Sequence, residues 1–535
     1  MTPRPATVSP QAVMDRLRAA PAGEWAFIDL REEGEAAEGH PFGSVNLPYS
    51  RLELELGALV PRPDTPLVLL DGGNLEGGKD LAARAALRLA ALGYHQLSIV
   101  KGGALGWEAA GLPLFKGVHT WSKAFGEWVQ HEFDVPEIGP QELAEQRALA
   151  TPPVLIDGRP LAEHRAFTLP GALNCPNADL PLALPALAEA DLPVIVHCAG
   201  RTRSIIGAQT LRDFGLPNPV MALRDGTQGW ELAGFQRDIG ANRPMPAPSA
   251  SQIADATARA KAVIAAHGLP TLTAEDLQAW LADPTRTTYL FDPRSDGTPP
   301  SGFRAAPGTT LVQQTDRFIA VKGARVVLWD PSLVRSTFAA LWLKRMGIMA
   351  HVLLEPPQPA PPATGLPLPP VPHALDAPAL KAALAQGALV LDLRPVAAFR
   401  AAHLAKARRA IRPRIPALGL AENSKIVLVA RDSARAALVA HDLTAAGHAV
   451  LGLTSDPKLW QDHGLPLGQS LADAPLDDPE TVQFCAGRHS GNLEDARLYL
   501  AWETGLLDRL SAAGLTPWPT LLPHQRPQAG AQTWL

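Results

Sequence analysis

Short runs of consecutive apolar residues alternate along the chain with longer segments rich in alanine and leucine. The runs 194–197, 326–329 and 426–429 are mostly β-branched or aliphatic, as in buried strands. Segments 81–92 and 434–446 have the apolar spacing of helices. Buried strands that alternate with helices are typical of mainly parallel sheets covered by helices on both faces. The pattern therefore predicts an α/β fold.

A short signature, aspartate-x-arginine, follows an apolar run four times. Successive copies are spaced by roughly 100 to 135 residues, which is the usual size of one compact domain. The length of 535 residues and the 46% apolar composition suit several domains with buried cores. The sequence therefore predicts four modules in tandem. Their signatures are Asp29-Leu30-Arg31, Asp157-Gly158-Arg159, Asp292-Pro293-Arg294 and Asp392-Leu393-Arg394.

Cys198, one of three cysteines, directly follows the apolar run 194–197. A small basic loop comes next, and residues 205–211 have the pattern of a helix. Free backbone amides at a helix amino terminus, together with Arg201 and Arg203, stabilise a thiolate. This environment favours Cys198 as a nucleophile over the alternative of a merely buried, apolar cysteine.

The segment 194–204 resembles the active-site loop of rhodanese-like sulfurtransferases, in which a cysteine opens a six-residue loop between a strand and a helix. The flanking segments 156–159, 169–174 and 225–230 match that family in order and spacing. The resemblance implies tandem rhodanese-like domains and a catalytic Cys198. The residues it implies for substrate binding are Ala199, Gly200, Arg201, Thr202, Arg203 and Ser204.

The other three modules lack a cysteine at the position of Cys198. Asp71, Asp330 and Ala430 stand there instead, and an aspartate cannot carry sulfane sulfur. Arg335 and Arg435 nevertheless keep the offset that Arg203 has from Cys198. We therefore expect one catalytic module and three that keep only the fold.

Composition and the positions of chain-breaking residues predict the domain boundaries, and a proline-dense segment is expected to be a spacer before the last module. The four modules are predicted at 1–118, 139–243, 271–356 and 373–469, and the second is the catalytic one. The connecting segments are predicted as a helical connector at 119–138, a linker helix at 244–270, a proline-rich linker at 357–372 and a helical extension at 470–535.

Five further residues are expected to have mainly structural roles. Asp157 and Arg159 are expected to brace the loop, because the same pair persists in modules without a cysteine. His197 should point away from Cys198, since neighbouring side chains of a strand alternate. Cys175 is expected to pack, although a role as resolving thiol stays open. Cys485 shares a Cys-Ala-Gly-Arg sequence with the loop but follows no apolar strand, which favours a structural role.

The resemblance implies that Cys198 takes sulfur from an anionic donor, with thiosulfate as first choice, and passes it to cyanide or a thiol. No metal or organic cofactor is needed, because sulfur itself is the carried group. The alternative is that the sulfur donor or acceptor is a protein. The chain would then act as a non-enzymatic persulfide carrier or redox scaffold, and Cys198 would bear the sulfur. A phosphatase or arsenate reductase of the same fold is disfavoured, since four residues rather than five separate Cys198 from Arg203.

Charge and hydropathy indicate whether the chain binds nucleic acid or a membrane. A formal net charge of −5 and the lack of a long basic run argue against nucleic-acid binding. No apolar run approaches the about 18 residues of a membrane span, and the amino terminus lacks the apolar core of a secretory signal. Few cysteines, one of them reactive, favour a cytoplasmic location.

Overall fold

A computed structural model of the chain describes residues 5–19, 23–73, 81–359, 365–468 and 478–518. The first module forms a parallel sheet with strand order β1-β5-β4-β2-β3. Its elements are β1 (Ala6–Val8), α1 (Pro10–Arg18), β2 (Trp25–Asp29), α2 (Glu33–Ala37), β3 (Val45–Asn46), α3 (Leu52–Leu59), β4 (Leu67–Leu70), α4 (Leu81–Ala91), β5 (Leu97–Val100) and α5 (Gly103–Ala109).

The second module contains Cys198 and repeats this topology. Its parallel sheet has the order β6-β10-β9-β7-β8, so β9 lies between β10 and β7. The connecting helix α6 (Thr120–Phe133) precedes the module. The elements of the module are β6 (Glu137–Ile138), α7 (Pro140–Arg147), β7 (Val154–Asp157), α8 (Leu161–Ala166), β8 (Leu173–Asn174), α9 (Leu180–Ala190), β9 (Val194–His197), α10 (Thr202–Asp213), β10 (Val220–Leu223) and α11 (Gly226–Leu232).

The third module has the same strand order again, β11-β16-β15-β12-β13, and all of these pairs are parallel. A long helix precedes it, and its amino end is capped by the Ser249 side chain. The elements are α12 (Ala250–Ala266), β11 (Thr271–Leu272), α13 (Ala274–Leu281), β12 (Thr288–Asp292), β13 (Arg304–Ala305), α14 (Gly308–Gln313), β14 (Val321–Lys322), β15 (Arg325–Leu328), α15 (Val334–Arg345) and β16 (Met349–Leu353).

The fourth module has a parallel sheet of order β19-β17-β20-β21 and a small antiparallel pair, β18 with β22. Two helices follow after residue 478. The elements are α16 (Ala377–Ala385), β17 (Leu389–Asp392), α17 (Val396–Ala401), β18 (His403–Leu404), β19 (Arg408–Arg409), β20 (Lys425–Val429), α18 (Ser433–Ala445), β21 (Ala449–Thr454), α19 (Pro457–Asp462), β22 (Leu467–Gly468), α20 (Leu493–Thr504) and α21 (Leu506–Ala512).

These sheets confirm the predicted fold class, which is a set of mainly parallel α/β modules. The chain divides into two compact units, and each unit combines segments that are not contiguous in the sequence. One unit comprises Met1–Asp15, Trp25–Gly117 and Ala363–Phe484, so it contains the first and fourth modules. The other comprises Arg16–Glu24, Val118–Pro362 and Cys485–Leu535, so it contains the second and third modules. The individual domain boundaries stay a prediction, and part of the proline-rich linker lies outside the described residues.

The core of the second module places the carboxyl ends of two strands side by side. β7 and β9 pair in parallel with Asp157 opposite His197. Their apolar residues are buried; Ile156, Ile195 and Val196 have no exposed surface. Because both strands end at the same sheet edge, the loop after β9 meets the Asp157 loop there. No helix in the described part of the chain is long and apolar enough to cross a membrane.

Candidate active site

Cys198 lies between the end of β9 and the beginning of α10. β9 ends at His197, and α10 begins at Thr202, so the loop places the thiol at a helix amino terminus. Cys198 is only 3% exposed, and Ser204 Oγ donates a hydrogen bond to its Sγ over 3.1 Å. The predicted strand, loop and helix are therefore present, and Ser204 contacts the Cys198 sulfur directly.

The backbone amides of the loop after Cys198 bear on its capacity to bind an anion. No described residue accepts a hydrogen bond from the amides of residues 199–203. Five free amides and the helix amino terminus provide a cradle for an anion. The arrangement is the one expected of a loop that holds a charged group on Cys198.

In the other modules a carboxylate of the protein itself accepts hydrogen bonds from amides of the equivalent loop or of the helix that follows it. Asp71 accepts from the amides of Gly73 and Ala82, at 2.9 and 3.0 Å. Asp330 accepts from the Ser336 amide at 2.8 Å. In the fourth module Asp432 accepts from the amides of Ala434 and Arg435, at 3.0 and 3.1 Å. These loops carry an internal anion where the Cys198 loop carries none.

Arg201 is held by carboxylates on three other elements. Its Nε and Nη2 donate to the two oxygens of Glu127 on α6, at 2.7 and 3.0 Å. Its Nη1 donates to Asp225 at 3.1 Å and lies 3.6 Å from Glu137. Burial, opposed by the bond from Arg201 and reinforced by neighbouring carboxylates, raises the pKa of Glu127 to about 7. The role predicted for Arg201 in binding a donor stays a prediction, and these carboxylates neutralise much of its charge.

Arg203 forms a two-point ion pair with Glu163 on α8. Its Nη1 and Nη2 donate to the two carboxylate oxygens at 2.7 and 2.8 Å. Burial would raise the pKa of Glu163, but the Arg203 guanidinium outweighs it and the net shift is downward. This geometry fixes Arg203 against α8, and the part in substrate binding that the resemblance implies for Arg203 stays a prediction.

Asp157 and Arg159 form a fully buried pair beneath the loop. Arg159 Nε and Nη2 donate to the two oxygens of Asp157 at 2.9 and 2.8 Å. Thr168 Oγ1 donates to the same carboxylate at 2.8 Å, and His164 Nδ1 lies 3.1 Å from it. The equivalent pairs form in all four modules: Asp29 with Arg31, Asp292 with Arg294, and Asp392 with Arg394. A pair that persists without the cysteine supports a structural role.

His197 is completely buried beside Cys198. Burial lowers the pKa of its imidazole to about 4, despite the opposing charge of Asp157. Its Nδ1 lies 3.4 Å from the Cys198 carbonyl oxygen. His197 is therefore neutral at pH 7 and contacts the backbone of Cys198 rather than its thiol.

The start of α11 packs directly on the loop backbone. The amides of Thr227 and Gln228 donate to the carbonyl oxygens of Cys198 and Ala199, at 2.9 and 3.1 Å. Gly226 has a φ of +55°, and a side chain there would overlap the carbonyl oxygens of Cys198 and Gly200. Gly226, in the downstream segment 225–230, is therefore required by this close contact.

Two helices outside the module complete the surroundings of the loop. On α20, Glu503 accepts a hydrogen bond from Thr202 Oγ1 over 2.8 Å, and Tyr499 lies beside Gly200. On α6, Gly126 packs against Thr202, and the buried Lys123 lies over the ring of Tyr499 at 5.3 Å. Burial lowers the pKa of Lys123 to about 8. Sequence reasoning treated both helices only as connector and extension.

The remaining cysteines lie in different environments. Cys175 is buried, and burial raises the pKa of its thiol well above the ordinary value, which disfavours it as a nucleophile. Cys485 is also buried and precedes a short 3₁₀ helix, Ala486–His489, rather than following a strand. Among the described residues, no group of three or more His, Cys, Asp or Glu side chains is placed to hold a metal ion.

Comparisons with known proteins agree with this geometry. The model of the rhodanese-like domain matches residues 9–110 and 140–233. The crystal structure of thiosulfate sulfurtransferase from Pseudomonas aeruginosa is similar over 97% of this chain and 100% of that one, with 35% identity and a TM-score of 0.85.

Two curated relatives match a single module. The uncharacterized protein YibN of Escherichia coli K12 is 31% identical over 91 residues, which are 17% of this chain and 60% of YibN. The HTH-type transcriptional regulator Rv0324 of Mycobacterium tuberculosis is 36% identical over 89 residues, 16% of this chain and 38% of the regulator. The chain thus spans less than two thirds of either relative. The similarity over whole chains to the Pseudomonas structure decides the assignment: this chain belongs to the multidomain rhodanese-like sulfurtransferases.

Proposed function

We propose that this chain transfers sulfane sulfur from thiosulfate, through a persulfide on Cys198, to cyanide or a thiol. The observation that carries the proposal is the set of amides at residues 199–203 that donate to no described residue, next to a cysteine that the other modules lack at that position. Those amides would donate to the anionic persulfide, as backbone amides of the cysteine-free modules donate to Asp71, Asp330 and Asp432. The similarity to the thiosulfate sulfurtransferase of Pseudomonas aeruginosa supports thiosulfate as the donor.

Both half-reactions take place on the sulfur of Cys198. In the first, the thiolate attacks the outer sulfur of thiosulfate; a new S–S bond forms, and sulfite leaves with the electron pair of the broken bond. In the second, cyanide attacks the outer sulfur of the persulfide, thiocyanate leaves, and Cys198 is again a thiolate. Such a covalent intermediate gives ping-pong kinetics.

A single turnover tests the donor half of the proposal. Incubation with thiosulfate, without an acceptor, should release one sulfite per chain and add the mass of one sulfur atom to the peptide that contains Cys198. Cys485→Ala should behave like the natural chain, because Cys485 precedes no loop of free amides. Persulfide that forms only from a protein donor would contradict the thiosulfate reaction and favour a carrier.

We predict that a cysteine alone does not restore the fourth module. In a Cys198→Ala background, Ala430→Cys should gain no persulfide from thiosulfate, because Asp432 already accepts from the loop amides. Arg435 is also engaged, since its Nη2 donates to Glu480 at 2.6 Å. Mass spectrometry of the peptide measures the outcome, and iodoacetamide labelling verifies that the introduced thiol is accessible. A persulfide at position 430 would mean that the internal carboxylate does not block the loop.

A further inference from the structure

The segment that repeats the Cys-Ala-Gly-Arg sequence after the fourth module lies against the second module. His489 stacks on Phe167, with ring centroids 5.3 Å apart, and its carbonyl oxygen accepts from Arg237 at 3.3 and 3.4 Å. Phe167 directly follows α8, the helix whose Glu163 pairs with the Cys198 loop. The 3₁₀ helix Ala486–His489 is therefore held beside this loop, although the third and fourth modules separate the two in sequence.

Arg488 lies in that short helix and places its guanidinium over Tyr499. Its Cζ lies 4.6 Å from the centroid of the Tyr499 ring, and its Nη1 donates to the carbonyl oxygen of Cys485 at 2.8 Å. The same ring packs on the loop, since a Cβ placed on Gly200 would lie 3.4 Å from Tyr499 Cε1. Gly200 is two residues from Cys198, so their Cα atoms are at most about 7.6 Å apart. One aromatic ring therefore separates the Arg488 guanidinium from the Cys198 loop.

The ionisation of Tyr499 places Arg488 and Cys198 in the same electrostatic surroundings. Burial raises the pKa of the Tyr499 hydroxyl well above its ordinary value, and negative charge on Glu503 and Cys198 acts in the same direction. The positive charges of Arg488 and Arg203 oppose this rise. Because the guanidinium and the thiol both act on one hydroxyl, the guanidinium is close enough to influence an anion that approaches the thiol.

The other cations near the loop are balanced by carboxylates. The two loop arginines are engaged by carboxylates of α6 and α8. Lys123 lies over the same tyrosine ring but is buried, and the nearby charge of Glu503 offsets its own. Arg488 is only half-buried, its Nε has no hydrogen-bond partner, and no carboxylate in the described part of the chain pairs with it. Arg488 therefore adds an unbalanced positive charge beside the loop.

We propose that Arg488 is a specificity-determining residue that attracts the anionic sulfur donor to Cys198. This inference rests on the sulfur transfer proposed above, and it gives Arg488 the part in donor binding to which the neutralised Arg201 is poorly suited. A doubly charged donor such as thiosulfate gains more from this charge than a singly charged or neutral reagent does. The charge acts on binding rather than on sulfur exchange, so its loss should raise KM more than it lowers kcat.

Two alkylating reagents of different charge measure this field at Cys198 without sulfur transfer. Iodoacetate carries one negative charge and iodoacetamide is neutral; mass spectrometry follows the rate at which each modifies the peptide that contains Cys198. We expect the ratio of the iodoacetate rate to the iodoacetamide rate, at low ionic strength, to fall about fourfold in Arg488→Gln. Changes in the ionisation of the thiol cancel in this ratio, because both reagents react with the thiolate. A fall of less than twofold in the folded variant overturns the proposal.

Further variants separate the charge of Arg488 from its packing. Arg497→Gln is the matched control, since it removes an exposed arginine from α20 and should leave the ratio unchanged. Arg488→Lys keeps the charge and should keep the ratio within twofold of the natural one. A fall in Arg488→Lys as large as in Arg488→Gln would assign the residue a structural role and overturn the proposal. Should Arg488→Gln not fold, Arg488→Met still packs on the tyrosine ring, and the same fourfold fall is expected.

Sulfite release in single turnovers connects this charge with the proposed function. In Arg488→Gln, the thiosulfate concentration that gives the half-maximal rate should rise about tenfold, while the rate at saturation changes less than threefold. An unchanged half-maximal concentration overturns the role of Arg488 in donor binding. An absence of sulfite release from the natural chain would instead refute the proposed function, and the alkylation ratio distinguishes that failure from a missing effect of the Arg488 charge.

Discussion

Replacement of Cys198 by alanine is expected to reduce thiocyanate formation from thiosulfate and cyanide to less than about one thousandth of the natural rate, because no covalent intermediate can form. The buried Ser204 hydroxyl, which lies 3.1 Å from the sulfur, cannot replace it, since a hydroxyl does not carry sulfane sulfur. Thiocyanate is measured for purified protein under steady-state conditions. The fold should remain, because a small residue still fills the position.

Two matched substitutions make this result specific to one thiol. Cys175→Ala and Cys485→Ala should each retain turnover within about threefold of the natural chain, since neither cysteine lies in a loop with free amides. Substantial turnover in Cys198→Ala would contradict a single-site mechanism. A loss of turnover in Cys175→Ala as large as the loss expected for Cys198→Ala would contradict it too. The second outcome would assign Cys175 the resolving role that the sequence left open.

The largest expected effect on stability comes from Asp157→Asn. This change leaves the buried Arg159 guanidinium without its carboxylate and weakens the bonds from Thr168 and His164. Breaking a buried pair in this way typically costs about 3–5 kcal/mol of unfolding free energy. Urea unfolding followed by tryptophan fluorescence should show a clear fall in the midpoint for the unit that contains the second module.

The pH dependence of that loss follows from the ionisation of Asp157. Burial alone would raise its pKa, but His197, His164 and Arg159 together hold it well below the ordinary range. A depressed pKa in the folded state contributes stability that is present above the unfolded value of about 4 and is lost as the pH falls. The difference between the natural chain and Asp157→Asn should therefore be full at pH 7 and shrink below about pH 4.

An exposed carboxylate in the same unit provides the comparison. Asp276 lies in the first turn of α13 and accepts hydrogen bonds from Thr273, so Asp276→Asn removes charge without creating a buried cation. Its effect on the unfolding free energy should be small beside that of Asp157→Asn, because solvent screens an exposed carboxylate. Equal losses for Asp157→Asn and Asp276→Asn would show that the buried pair contributes no more than a surface cap.

The features that sequence reasoning predicted correctly are local ones. Helices at Leu81–Ala91 and Ser433–Ala445 have the bounds that their apolar spacing indicated within one residue. Cys198 follows β9 directly, and Asp71 and Ala430 directly follow β4 and β20, whereas Asp330 comes two residues after the end of β15. Strand, loop and helix are adjacent along the chain, so their order and chemistry are visible without knowledge of long-range contacts.

The partners of the loop arginines could not be predicted in this way. Arg201 pairs with Glu127, which lies 74 residues earlier, and Thr202 bonds Glu503, which lies 301 residues later. Nothing in a helix pattern marks which of its carboxylates will face a distant loop. The extension after the fourth module was therefore predicted as helical, but its contact with the catalytic loop was not.

By itself, the sequence determined the repeated α/β module, the place of Cys198 after a strand and the lack of a cysteine there in three copies, because these depend on residues within one strand, loop and helix. Only the tertiary structure decided that the first module shares a unit with the fourth and the second with the third. It also decided that carboxylates neutralise Arg201 and Arg203, and that Glu503 reaches Gly200. The physical reason is that such contacts depend on how buried faces pack, and modules with the same local pattern do not encode which faces meet.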